Sequence, residues 1–125
     1  MNKLFIFTTL LLSLSAQAEK IDCQINEFGV EQKTTYQVSL ENFTEPHGAF
    51  VQIKSQLFPE VTGFVAVMER DQRRFAVISY YHDKLQVNSS GQYELIKPDQ
   101  YIQHQFIIPN ESLKLTGIET VCYYN

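Results

Sequence analysis

The 125-residue sequence has no tryptophan, only five glycines, which stand singly, and only three histidines. Phosphate-binding loops need clustered glycines, and no such cluster occurs. No histidine lies two or four residues from another, so the H-x-H and H-E-x-x-H spacings of metal sites are also missing. The chain lacks the G-x-S-x-G motif that carries the nucleophile of many hydrolases. We therefore predict a protein that is not an enzyme, with no catalytic residue, metal site or cofactor.

Positive charge is scarce as well. The sequence has 10 lysines and arginines against 14 aspartates and glutamates, which gives a formal net charge of −4. All three arginines, Arg70, Arg73 and Arg74, fall within one predicted turn. Nucleic-acid binding needs a basic face that extends over the surface. We therefore predict no nucleic-acid partner for this chain.

One long apolar run is present, and it lies at the start of the chain. Residues 4–14 are almost wholly apolar, follow a short segment with Lys3 and precede small residues that end at Ala18. This order is typical of a cleaved signal peptide, here residues 1–18. The run is too short to span a bilayer of about 30 Å, and no lipoprotein cysteine follows it. We predict a periplasmic or secreted protein in which residues 19–125 form one domain with no membrane span.

The two cysteines, Cys23 and Cys122, lie near the two ends of the predicted mature chain. In an exported protein, a lone pair of cysteines most often forms a structural disulfide. A redox-active pair normally has the C-x-x-C spacing, which is missing. We therefore predict one disulfide that joins the two ends of the domain.

Short runs of alternating apolar and polar residues fill the region after residue 18. They lie at residues 21–25, 35–41, 49–54, 101–108 and 112–116. A period of two is typical of half-buried β-strands, and each run ends at turn-forming residues. We also predict a last strand at residues 118–124 and a tight turn at residues 88–91, where the sequence is Asn-Ser-Ser-Gly.

Two further runs differ from the rest because they are apolar at consecutive positions. Gly63–Met68 and Phe75–Tyr81 flank the charged segment Glu69–Arg74. We predict that they form a central β-hairpin whose two faces both need cover. The Leu57–Pro59 loop, a second sheet or a partner could supply the second cover.

The number and spacing of these runs predict an all-β domain of about eight to ten short strands. The short connections favour an antiparallel meander. A disulfide between the first and last strands would bring them together, so we predict a small closed barrel. A two-sheet β-sandwich is the alternative.

Two sequence features predict a binding surface on the central hairpin. One is its arginine-rich tip, although Glu69 and Asp71 offset part of that charge. The other is the tyrosine pair Tyr80-Tyr81, because tyrosine is enriched at protein interfaces. The pair Tyr123-Tyr124 repeats the pattern on the last strand. The candidate partner surface comprises Phe64, Met68, Arg70, Arg73, Arg74, Tyr80 and Tyr81.

These observations lead to a main functional hypothesis and two alternatives. The main one is a non-catalytic binding or inhibitor-type module that acts on another protein. The first alternative is a barrel that holds a small apolar ligand in a cavity lined by Phe75, Val77 and Phe106. The less favoured alternative, a hydrolase or metalloenzyme, requires His82 or His104 to meet carboxylates in a cleft.

Overall fold

The computed structural model describes residues 19–41, 49–97 and 99–125, so the predicted signal peptide lies outside the described residues. Eight strands form the fold. They are β1 (Lys20–Phe28), β2 (Lys33–Glu41), β3 (Ala49–Lys54), β4 (Val61–Arg70), β5 (Arg73–His82), β6 (Val87–Glu94), β7 (Gln100–Ile107) and β8 (Gly117–Tyr124). Within the described ranges, no helix is long and apolar enough to cross a membrane.

The strands form two antiparallel sheets of four strands each. One, the disulfide sheet, has the order β2-β1-β8-β7, and the other, the hairpin sheet, has the order β3-β4-β5-β6. The predicted central hairpin is confirmed, because β4 and β5 are the two inner strands of the hairpin sheet. The all-β prediction is also confirmed. The closed barrel is wrong, and the two-sheet sandwich describes the structure.

Side chains bridge β6 and β7, the neighbouring edges of the two sheets. The Gln100 side chain donates from Nε2 to the Glu94 carbonyl at 2.8 Å and accepts from the Ile96 amide at 3.0 Å. Ser89 Oγ donates to the Gln105 carbonyl at 3.0 Å. These side chains satisfy backbone groups at two edges that no strand ladder joins.

A single core lies between the two sheets because every strand presents alternate residues inward. The disulfide sheet contributes residues such as Ile25 and Ile118, both 0% exposed, and the hairpin sheet contributes Val65 and Ile78, also 0% exposed. Phe58 packs against this same core. Phe58, in the loop predicted to cover the hairpin, therefore packs on the inner face of the hairpin sheet. This ring does not cover the outer face of that sheet.

The predicted disulfide is confirmed. Cys23 and Cys122 are direct cross-strand partners on β1 and β8, with Cα atoms 4.0 Å apart and a sequence separation of 99. Both side chains lie in the core, at 2% and 1% exposure. A buried disulfide of this kind is compatible with an exported protein.

Two local predictions are wrong. Residues 88–91 do not turn, because β6 runs through them in register with β5, and the chain turns at residues 83–86 instead. There the His82 ring accepts a hydrogen bond from the Leu85 amide at 3.1 Å. Residues 112–116 form part of a loop and no strand. At residues 88–91, pairing with β5 determines the structure. In the loop at residues 112–116, side-chain hydrogen bonds from Asn110 and Ser112 take the place of strand pairing.

Candidate functional site

The outer face of the hairpin sheet carries an exposed group of large apolar side chains. Phe50, Phe64, Met68 and Tyr81 are 70%, 38%, 54% and 40% exposed. They lie on β3, β4 and β5 at positions that alternate with the core residues. We call this surface the apolar outer face, and it comprises Phe50, Phe64, Ala66, Met68, Phe75, Val77 and Tyr81.

Strand register brings these side chains together. Ala66 pairs with Phe50 on one side and with Val77 on the other, which places all three in one row across the sheet. Val77 is only 7% exposed although it does not belong to the core between the sheets. Its neighbours on the apolar outer face therefore cover it. The side chains of this surface are therefore packed against one another.

A hollow of about 340 Å³ lies in the same surface. The rings of Phe50, Phe64 and Tyr81 line it together with the small side chain of Ser79. Ser79 pairs with Phe64 across β4 and β5, so a short side chain stands beside a large one.

Charged residues border the apolar outer face. Arg70 lies over the ring of Phe75, with its Cζ 5.7 Å from the ring centroid. Arg73 forms an exposed ion pair with Glu94, with 3.7 Å between Nε and Oε1. Lys54 lies at the opposite end of the face, where it pairs with the start of β4. The strands of this face thus carry three cations and one carboxylate, with Glu69 and Asp71 at its tip and Glu60 and Asp83 at its other end.

The structure brings together five of the seven residues predicted as a partner surface. Phe64, Met68, Arg70, Arg73 and Tyr81 share the outer side of the hairpin sheet. Phe50 belongs with them and was missed by the sequence prediction. The alternation at residues 49–54 could have identified it, because it places position 50 opposite the core side of its strand.

Tyr80 lies on the opposite face and is 1% exposed, so it does not contribute to the outer surface. Its ring stacks on Phe106 with centroids 5.8 Å apart, and its hydroxyl is hydrogen-bonded to Thr120. Burial raises the pKa of Tyr80 to about 12. This residue links the two sheets through the core.

Arg74 also points away from the apolar outer face. It forms a two-pronged ion pair with Glu19, and this hydrogen bonding lowers the pKa of the Glu19 carboxyl. Tyr124 donates a hydrogen bond to the same carboxylate at 3.2 Å. Arg74 therefore joins the hairpin to the start of β1.

Tyr123, the other member of the pair Tyr123-Tyr124, lies beside Tyr101 with ring centroids 4.9 Å apart.

His104 lies in a hydrogen-bonded chain with a fixed direction. Ser89 Oγ donates to the Gln105 carbonyl, so it accepts from His104 Nε2 at 2.9 Å. His104 Nδ1 then accepts from the Tyr93 hydroxyl at 2.8 Å. Because the imidazole donates to Ser89, it does not act as a base toward that hydroxyl in this arrangement. The chain therefore has the geometry of a structural bridge between β6 and β7.

The environment of His104 predicts a pH dependence of stability. Burial lowers the pKa of His104 below 6.5, and an interaction with the backbone of Ser89 opposes this shift. His104 therefore binds its proton more tightly in the unfolded chain than in the folded one. The contribution of neutral His104 to the free energy of unfolding is fully present above pH 6.5 and is lost as the pH falls through that value. Urea titrations from neutral pH to about pH 5 should show this loss. In His104→Gln, the free energy of unfolding should change less with pH than in wild type. An unchanged pH dependence would contradict the prediction.

Neither histidine of the hydrolase hypothesis is hydrogen-bonded to a carboxylate in the described part of the chain; His82 bonds the Leu85 amide and His104 bonds Ser89 and Tyr93. Among residues 19–41, 49–97 and 99–125, no group of three or more histidine, cysteine or acidic side chains could hold a metal ion.

The residues proposed to line an apolar ligand cavity lie on two different faces. Phe106 packs in the core, whereas Phe75 and Val77 belong to the apolar outer face. The structure therefore does not bring these three side chains together around one space.

Comparison with protein-family models, curated proteins and solved structures found no match for this chain.

Proposed function

We propose that this protein is a non-catalytic binding module, periplasmic or secreted, that docks another protein on its apolar outer face. The observation that carries the proposal is a sheet with two apolar faces, one of which has no cover within the described residues. Phe50, at 70% exposure, is its most exposed ring. Clustered aromatic side chains at a surface are typical of the central part of protein interfaces.

One outer strand of the other sheet shows the contrast. On β2 the outward positions are Lys33, Thr35, Gln37, Ser39 and Glu41, which are all polar and exposed. A polar outer strand is ordinary for a half-buried antiparallel sheet, whereas β7 of the same sheet exposes Tyr101 at 72% and Ile107 at 46%. The apolar outer face departs from that pattern, and full burial of each of its large side chains would contribute about 1.5–3 kcal/mol.

The charges define the chemistry of the partner. Lys54, Arg70 and Arg73 lie on this face; Arg73 is paired with Glu94, and Glu69 and Asp71 stand beside Arg70 at the tip. A complementary partner therefore presents an apolar protrusion for the hollow and carboxylates around it. Electrostatic complementarity of this kind speeds association and orients the two surfaces.

The test uses a partner isolated with the mature protein from periplasmic or secreted fractions, purified and then titrated. Phe50→Asp should weaken binding at least about 30-fold, because it removes an aromatic anchor and adds a like charge for the acidic partner. Leu85→Asp is the matched control, since Leu85 is 45% exposed in the 83–86 turn. Its affinity should stay within about twofold of wild type. Equal losses in both variants, or no partner at micromolar concentration, would contradict the proposal.

A further inference from the structure

A second concave surface lies on the other sheet, near the end of β1. It is a groove of about 590 Å³ between the β1–β2 turn and the loop that joins β7 to β8. This volume falls in the range of small-molecule sites. Its lining includes Phe28, Val30, Lys33, Thr35, Lys114 and Leu115. We call it the lysine groove.

The loop that forms one wall of the groove is held in place by its own side chains. Asn110 accepts a hydrogen bond from the Ser112 amide at 2.6 Å and donates to Thr116 Oγ1 at 2.7 Å. Thr116 Oγ1 in turn donates to the Ile108 carbonyl at 2.7 Å. Lys114 Nζ reaches across the groove to the Val30 carbonyl at 3.3 Å. The wall is therefore preformed, which limits the entropy lost on binding.

Apolar side chains stand open on both sides of the groove. Leu115 is 64% exposed on the loop, and Val30 is 44% exposed on the facing turn. Phe28 lies half-buried between them at the end of β1. This arrangement offers an apolar strip for a hydrocarbon chain or a ring.

Two lysines and one glutamate line the groove, and Glu31 in the β1–β2 turn and Glu119, hydrogen-bonded to Asn26, lie next to it. Lys33 and Lys114 line it, and within the described ranges neither forms an ion pair with a carboxylate. Glu27 also lines the groove but is 1% exposed. Its carboxylate is already hydrogen-bonded to Tyr36 and to the turn that begins at Ser55. The Lys33 ammonium group is therefore available to an anion, and the Lys114 ammonium group can offer the N–H donors that its bond to the Val30 carbonyl does not use.

We infer that the lysine groove binds a small amphipathic carboxylate. Its hydrocarbon part would lie along Val30 and Leu115, and its carboxylate would lie between Lys33 and Lys114. Charge-assisted hydrogen bonds from the two ammonium groups favour an anionic ligand, and the apolar strip favours a ligand with a hydrocarbon part. The groove lies on the outer side of the disulfide sheet, so this site is separate from the apolar outer face.

The test is a titration of the mature protein with decanoate, followed by amide chemical shifts. Decanoate should saturate the protein and move the resonances of residues 28–35 and 113–117. Decanamide has the same chain without charge, and decyltrimethylammonium has it with the opposite charge. Both should bind at least about tenfold more weakly, since each loses the two ion pairs. Equal binding of all three probes, or shifts confined to other residues, would overturn the inference.

Variants locate the site independently of the shifts. Lys33→Gln and Lys114→Gln should each weaken decanoate binding about threefold, and Leu115→Asp should weaken it at least about tenfold. Lys33→Gln leaves the contact between Lys114 and Val30 intact, so it tests charge without disturbing the loop. Lys54→Gln is the matched control on the other sheet and should bind as wild type does. Loss of binding in Lys54→Gln alone would place the ligand elsewhere and overturn the inference.

Discussion

Replacing Cys23 and Cys122 together by alanine is expected to lower the free energy of unfolding by about 4–5 kcal/mol. The disulfide closes a loop with a sequence separation of 99, and opening it releases the entropy that this closure removes from the unfolded chain. The cost is large for a domain of this size, whose total stability is about 5–15 kcal/mol. Urea unfolding of the double variant measures it directly.

The control for the disulfide prediction is Val38→Ala. Val38 is the cross-strand neighbour of Cys23 on β2 and packs against the core. This variant removes packing at the same place but keeps the covalent link, so it should cost clearly less than the double replacement. The free energy of unfolding should also fall more steeply with urea concentration in the double variant, because its unfolded chain is more expanded and exposes more surface. A double variant within about 1 kcal/mol of wild type would contradict the loop-closure explanation.

Replacing Glu27 by alanine is expected to cost about 3–5 kcal/mol, the second large effect. Glu27 is 1% exposed, and its carboxylate accepts hydrogen bonds from the hydroxyls of Ser55 and Tyr36 at 3.0 and 2.5 Å. It also accepts from the amides of Gln56 and Leu57 at 2.9 and 2.8 Å. Alanine would leave these partly buried donors without their shared acceptor.

A series of variants separates the contributions to this cluster. Tyr36→Phe removes one donor and should cost about 1 kcal/mol. Glu27→Gln keeps the shape and one oxygen but loses the charge, so its cost should fall between those of Tyr36→Phe and Glu27→Ala. Burial, and then the hydrogen bond to Glu27, raises the pKa of Tyr36, so its hydroxyl stays a donor at neutral pH. Urea unfolding of the three variants gives the order, and equal costs for Tyr36→Phe and Glu27→Ala would contradict it.

The strands and the disulfide could be predicted from the sequence because both depend on local pattern and compartment. Alternation located β1, β2 and β7, and the consecutive apolar residues of β4 and β5 located the central pair. Alternation also requires that Tyr80 and Tyr81 point to opposite faces. It does not say which of them faces the core, because that depends on the neighbouring strands.

The rest depended on contacts between residues far apart in sequence. The sandwich differs from a barrel at edges where side chains such as Gln100 make hydrogen bonds and no ladder forms, and the local sequence does not show which edges pair. Asn88–Gly91 has the composition of a turn, yet pairing with β5 keeps it extended. Glu27 is one acidic residue among many in the sequence, and its role is visible only beside Ser55 and Tyr36. The lysine groove likewise joins residues about 80 positions apart along the chain, beyond the reach of local pattern.

The position of the disulfide also determines how the domain responds to mechanical force. Cys23 lies near the start of β1, and Cys122 lies opposite it near the end of β8. A pulling force applied at residues 20 and 125 reaches a covalent bond after it has peeled away a few residues at each end. The rest of the sandwich then carries no tension, so the apolar outer face and the lysine groove would keep their shape while the chain is stretched between its termini.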